Sequence, residues 1–332
     1  MKTYNEQPRF VITADVLRLV AALDEFKGQW LAFRNMPPES LSAMEQQAVT
    51  QGTAAGIRLG GGDVTDAQVA AILAGNEDST STPESGAVVA YAKVLRLITS
   101  SYASIPFSEV HIKQLHGVLA GPGGGEGLGE YRQDGDGSIA ESMQQLVAWT
   151  GTALEEGRLH PLLVISYFIL GFLDIRPFAG ENQRLARHLF FLLLMKKGYD
   201  FMRCYALAAA IEEEKDLFQQ GIEEGLRRLR SDNVVDGAWL LPFCRIIRLQ
   251  TRHVRDVLVG VRKTAGRHGL EQRILDHVRS HGQSTNKMIQ ADTGANRNTI
   301  KVHLRKLVDS GELVRHGKGK GSRYTLGAVS FF

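Results

Sequence analysis

The chain has 332 residues, of which 43% are hydrophobic and 23% charged, the balance of an ordinary globular protein. Its longest uncharged apolar run, Pro161–Leu173, has 13 residues and is too short to span a bilayer, and the opening MKTYNEQPRF lacks the apolar core of a signal peptide. Two cysteines, Cys204 and Cys244, support neither a disulfide framework nor a metal cage. The expectation is a soluble, cytoplasmic protein of two or three domains with no membrane partner.

The net charge of +3 hides a division. Residues 262–332 carry 14 Lys+Arg against 5 Asp+Glu, or +9, whereas the first 261 residues carry 25 against 31, or −6. A basic end on an acidic body is the electrostatic footprint of a nucleic-acid-binding module attached to something else. A solvated basic tail would have the same composition, so the pattern inside the tail decides.

In chain order, apolar residues recur at helical spacing. Val16, Leu17, Leu19, Val20 and Leu23 predict one helix, and Val69, Ile72 and Leu73 another. Further helices are expected from Ser108, an N-cap ahead of Val110, Ile112 and Leu115, and from near Ser142. Two denser ones follow at 161–174 and 184–197. Polar, Gly-rich stretches at 60–63, 76–86 and 121–137 read as loops, and strand signals are nearly absent before the last twenty residues. The body reads as all-helical, and Gly266-Arg267-His268-Gly269 reads as a linker to the basic module.

That module has a sharper pattern. Leu270, Ile274, Leu275 and Val278 form one apolar stripe; Ser284 and Thr285 can cap a short second helix through Ile289, closed by Thr293-Gly294. A third helix over 296–310 places Ile300, Leu304, Leu307 and Val308 on its inner face and Asn296, Arg297, Asn298, Lys301 and Arg305 outside. Residues 312–315 and 322–326, joined by the turn 316–321, predict a hairpin with Lys318, Lys320 and Arg323 clustered at its basic tip. Three helices and a basic hairpin make a winged helix-turn-helix, and the expected partner is duplex DNA. Arg and Asn at the third helix's start are suited to base edges, and the wing to phosphate.

Inside the body, residues 176–187 read Arg-Pro-Phe-Ala-Gly-Glu-Asn-Gln-Arg-Leu-Ala-Arg between two apolar helices. This resembles the Fic family, whose active-site loop runs His-Pro-Phe-x-(Asp/Glu)-Gly-Asn-Gly-Arg-x-x-Arg. Gly129-Glu130-Tyr131-Arg132, the helix opening His160-Pro161-Leu162-Leu163, and the segment from Tyr205 through Glu212, Glu213, Glu214 and Lys215 to Phe218 are similar to other parts of that family. The C-terminal module is similar to the winged helix appended to one of its subgroups. The likeness covers roughly residues 8–326.

The resemblance implies roles. The loop and the helix N-terminus after it hold nucleotide phosphates, with Asn182, Arg184 and Arg187 as added donors and Glu181 and Gln183 beside them. The family's His takes the proton of a target hydroxyl, which then receives AMP from ATP, and its Asp/Glu binds Mg²⁺. Here the His position is Arg176, which cannot act as a base, and the Asp/Glu position is Gly180, with Glu181 one residue displaced. Gln183 replaces a glycine. The target-docking flap is reduced to the ten residues between Arg132 and Met143, and Ala55 stands where the family's inhibitory Glu would pair with Arg187.

Joint loss of base, metal ligand, flap and inhibitor implies a pseudoenzyme: a body binding ATP, another nucleotide or phosphate, without Mg²⁺, fused to a transcriptional regulator's winged helix and acting as a homodimer. The alternative is an active protein nucleotidyltransferase with an atypical site. The expected domains are 1–100 (the family's inhibitory and dimerisation region), 101–235 (Fic-like core), 236–266 (connecting helix) and 267–332 (winged helix). Lys196 and Lys197 read as helix-end capping, Trp30, Trp149 and Trp239 as packing, and the histidines as structural or solvated, with His188 the one alternative base.

Overall fold

The computed structural model describes residues 4, 6–31, 38–75, 84–121, 128–133, 138–317 and 319–327, without the side chains of 257, 259–268 and 320. Two compact units divide the chain, 1–254 and 255–332.

In the first unit, β1 (Arg9–Phe10) precedes helices α1 (Ala14–Leu31), α2 (Pro38–Arg58), α3 (Asp66–Leu73), α4 (Ser85–Ser101), α5 (Glu109–Ala120) and α6 (Ser138–Glu156). Then come α7 (Pro161–Ile175), α8 (Asn182–Lys196), a 3₁₀ turn (Asp200–Cys204), α9 (Leu207–Glu213), α10 (Lys215–Asp232), β2 (Val234–Val235) and the start of α11 (Gly237–His281). The core is the α7–α8 pair: Val164–Phe172 and Leu189–Met195 are buried on nearly every side, as a helix apolar all round must be. Ser108 caps α5 through the His111 N–H, as its sequence predicts. Trp30 and Trp239 are fully buried, and Trp149 stands edge-on to Tyr167 at 4.7 Å.

Several expectations need correction. The helix placed near Ser142 begins at Ser138, because Ile139 is buried and extends the apolar face one turn earlier. The 184–197 helix begins at Asn182. Short β1 and β2 pair in parallel, tying the N-terminal arm to the end of α10, which apolar patterning over two residues cannot signal. The expected linker 266–269 lies inside α11; a helix tolerates glycine at a cost of about 1 kcal/mol each. Most of the 76–86 and 121–137 stretches lies outside the described residues. Lys196 and Lys197 do cap helix ends, but those of neighbours. Lys196 Nζ donates to the carbonyls of Tyr102 (3.2 Å) and Ile105 (2.8 Å) past α4, and Lys197 Nζ to Leu154 in the last turn of α6 (2.9 Å).

The second unit holds the C-terminal part of α11, then β3 (Ser284–Thr285), α12 (Asn286–Thr293), α13 (Arg297–Asp309), β4 (Leu313–His316) and β5 (Arg323–Leu326). Its sheet runs β3-β5-β4, antiparallel throughout, with Leu313 opposite Leu326 and Ser284 opposite Tyr324. The core consists of Ile274, Val278, Ile289, Ile300, Leu304, Leu307, Leu313 and Tyr324. Thr285 caps α12, which runs to Thr293 instead of stopping at Ile289, and Gly294 closes it at φ 65°. No helix of the described residues is long and apolar enough to cross a membrane.

Candidate functional site

The α7–α8 connection is built by unusual backbone. Arg176 ends α7 at φ 49°, and Glu181 precedes α8 at φ 60°; two non-glycine residues in the left-handed region within one six-residue loop mark strain held by its surroundings. The holders are visible. The Arg132 N–H donates to the Pro177 carbonyl (2.8 Å), and its guanidinium donates to the carbonyls of Arg176 (2.8 Å) and Ile175 (3.3 Å). Asn182 Oδ1 accepts the Phe178 N–H (3.0 Å) while its Nδ2 donates to the Phe178 carbonyl (2.7 Å). Asn182 is thus a staple across the loop, and its side-chain amide is occupied.

Beneath the loop, His116 stacks on Phe178 at 3.8 Å between centroids. Its Nδ1 accepts the Gly129 N–H (3.2 Å), so Nε2 carries the proton and donates to the Gly180 carbonyl (3.3 Å). Burial lowers its pKa, which keeps this neutral form. The Gly-Glu-Tyr-Arg segment therefore serves as scaffold. Gly129 binds His116, Glu130 pairs with Lys113 (2.9 Å), Tyr131 donates to Glu109 (3.0 Å), and Arg132 holds the loop.

The first turn of α8 opens on a cleft of about 950 Å³ whose lining includes the cations Arg132, Arg176, Arg184, Arg187 and Lys215, the carboxylates Glu181 and Glu223, and the apolar Ile169, Leu173, Phe218 and Ile222. The backbone N–H groups of Asn182, Gln183 and Arg184 have no acceptor among the described residues; Leu185 donates the first helical bond, to Glu181. Arg184 Nη1 binds both carboxylate oxygens of Glu181, each at 3.0 Å. The turn after α2 packs against the same guanidinium: a Cβ on Gly60 would lie 2.8 Å from Arg184 Nη2. Gln183 is exposed. The Nε atoms of Arg184 and Arg187 are buried without a partner.

Arg187 reaches α2 instead. Its Nη2 donates to the Gly56 carbonyl at 3.2 Å, beside Ala55, where the resemblance puts an inhibitory carboxylate. Small residues make the approach possible. Gly52, Thr53, Ala54, Ala55 and Gly56 are all buried, and a Cβ on Gly56 would meet the Tyr91 ring at 2.2 Å. Arg58 latches the end of α2 through paired bonds to Glu212, 2.7 Å each.

His188 is not placed to serve the cleft. It is 1% exposed, packs on Tyr91 at 4.3 Å and lines a second, mainly apolar pocket among α2, α4 and α8, with neither ring nitrogen hydrogen-bonded. Burial, aided by Arg187 and Arg184, pushes its pKa down to about 3. Among the described residues, no histidine lines the cleft and no group of three His, Cys, Asp or Glu could hold a metal. Both cysteine thiols are buried and pushed up to about 12, so they are inert.

In the second unit, Arg297, Asn298, Lys301 and Arg305 are exposed on α13 and form no ion pair among the described residues. Asn296 instead uses its Oδ1 to accept the Asn298 N–H (2.9 Å), so it acts first as the helix cap. Buried His303 binds Glu271 of α11 (2.7 Å), which fixes which side of α13 faces out. Arg323 lies in β5 and donates to Gln283 (3.1 Å). Lys318 and the side chain of Lys320 lie outside the described residues. The i, i+4 pair His277 and His281, which the sequence reading passed over, stacks at 4.2 Å.

Solved structures share this fold. A Fic family protein from Desulfovibrio desulfuricans is 18% identical over 98% of this chain and 100% of its own, with a TM-score of 0.60. Fic-1 from C. elegans is 16% identical over 76% and 74% of the two chains (TM-score 0.59). A Fic domain containing signaling protein from Bacteroides thetaiotaomicron is 17% identical over 76% and 98% (TM-score 0.54). No family profile and no curated protein matches the sequence itself. At these identities the likeness is one of fold: the chain has the Fic fold.

Proposed function

We propose that the chain is a DNA-binding regulator whose Fic-fold body binds ATP or another nucleotide and does not transfer AMP. Arg176 carries this reading. A guanidinium keeps its proton at any accessible pH, so the position that holds the family's base can bind phosphate but cannot activate a hydroxyl. Phosphate binding is supported by the unpaired N–H groups at the start of α8, the buried unpartnered Nε atoms of Arg184 and Arg187, and the excess of cations over carboxylates in the cleft's lining. Its apolar residues suit a base. Mg²⁺ does not fit this donor set well, because the loop supplies a single carboxylate, Glu181, one residue displaced from the position the family uses, and Arg184 beside it already offsets its charge.

The C-terminal unit is read as a winged helix-turn-helix, with α13 as recognition helix and β4–β5 as wing. The exposed, unpaired Arg297, Asn298, Lys301 and Arg305 support this, as does the +9 charge. A single module offers a small interface, so a homodimer on a two-fold site is expected. The test is incubation with labelled ATP and a cell lysate, read for both retention and transfer. Retained nucleotide with no labelled target is the expected result. Label on a target that vanishes in Arg184→Ala would establish an active transferase instead.

A further inference from the structure

One feature of α13 is left unexplained by its basic face. Val302 is 56% exposed, between Lys301 and Arg305. Neighbouring His303 and Leu304 are buried at 4% and 1%, so the helix does not turn Val302 inward. A β-branched residue at an exposed helical position gains little burial and is a poorer helix former than most. With Asn298, Lys301 and Arg305 it occupies positions i, i+3, i+4 and i+7, one continuous stripe. No acidic residue occurs in α13 before Asp309 in its last turn.

The face is therefore apolar at its centre and cationic around it. Charge complementarity favours an anionic partner, and on the DNA-binding reading the major groove supplies the matching apolar group at base-edge depth, the thymine C5-methyl. We propose that Val302 is a specificity-determining residue that packs on the methyl of a thymine, while Asn298, Lys301 and Arg305 contact base edges or phosphate around it. The inference rests on the DNA-binding reading given above and adds to it the kind of base that is read.

The experiment uses the full-length chain and a duplex enriched by it from a random-sequence pool. Each thymine of that duplex is replaced in turn by uracil, which lacks only the methyl, and affinity is measured by fluorescence anisotropy at fixed salt. Wild type is expected to lose about fourfold at one thymine, the worth of one buried methyl group. Val302→Ala should bind thymine and uracil equally there, and Val302→Thr, which keeps one methyl, should retain most of the penalty. The salt slope should be the same in all three, since no charge changes. A uracil penalty that Val302→Ala leaves intact, or no penalty anywhere in wild type, overturns the inference while leaving DNA binding in place. Failure to enrich any duplex overturns the DNA reading and this inference with it.

Discussion

Arg184 and Glu181, three residues apart at the mouth of α8, hold each other through two contacts of 3.0 Å, with Arg184 only 20% exposed and Glu181 28%. The carboxylate thus occupies the guanidinium that the resemblance assigns to phosphate, and it does so from a backbone position that costs strain. An internal anion stands where an external one is expected.

Nucleotide must displace that carboxylate, so Glu181→Gln should bind ATP more tightly. The pair is partly buried, and its competition is worth about 1 kcal/mol, or roughly fivefold in Kd by calorimetry. Arg184→Ala should weaken binding by about 1.5–3 kcal/mol. Unchanged affinity in both variants would place the ligand elsewhere.

Restoring Arg176→His alone should not produce AMP transfer to protein hydroxyls. Gly180 would still offer no carboxylate, and only ten residues would still separate Arg132 from Met143. Radiolabel transfer from ATP checks this directly, and labelling by the single variant would refute it.

His188 sets an acid limit on stability. Its folded pKa, about 3, lies below the ordinary 6.5, so between those values the unfolded chain takes up a proton that the folded chain refuses. The stability present above pH 6.5 is therefore lost as the pH falls toward 3. His188→Phe should keep the packing on Tyr91, remove two unpartnered ring nitrogens and flatten the decline below pH 6.5 in denaturant titrations. At neutral pH it should stabilise by about 1–3 kcal/mol.

Gel shifts should separate the two kinds of DNA contact. Arg297→Ala should cost about 1–3 kcal/mol on the preferred site and flatten discrimination between sites. Substitution of Lys318, Lys320 or Arg323 by alanine should weaken binding to all sequences alike and lower the salt slope by about one unit. Arg323 already bonds to Gln283, and a phosphate contact would compete with that bond.

Much of the fold was legible because its signals are local. The unbroken apolar runs of α7 and of the C-terminal half of α8 can only be buried, Ser108 and Thr285 announce helix starts, and the stripe Ile300, Leu304, Leu307 faces inward by spacing alone. The loop motif between α7 and α8, with its likeness to Fic proteins, likewise needed only residues close in the chain. Residue identity at single positions, Arg176 above all, already argued against base catalysis.

What the sequence could not contain is who meets whom. Asn182, Arg184 and Arg187 look alike as donors in a motif, yet Asn182 staples Phe178, Arg184 binds Glu181, and Arg187 reaches across to Gly56 of α2, 131 residues away. That last contact depends on Gly56 lying against Tyr91 with no room for a Cβ, a matter of three helices packing together. His116 and His188 are likewise indistinguishable as letters; one supports the loop and the other lies unpartnered behind the helix. Hydrophobic periodicity is a property of each segment and is written in order along the chain, whereas these polar pairings depend on distances that exist only once the segments have packed.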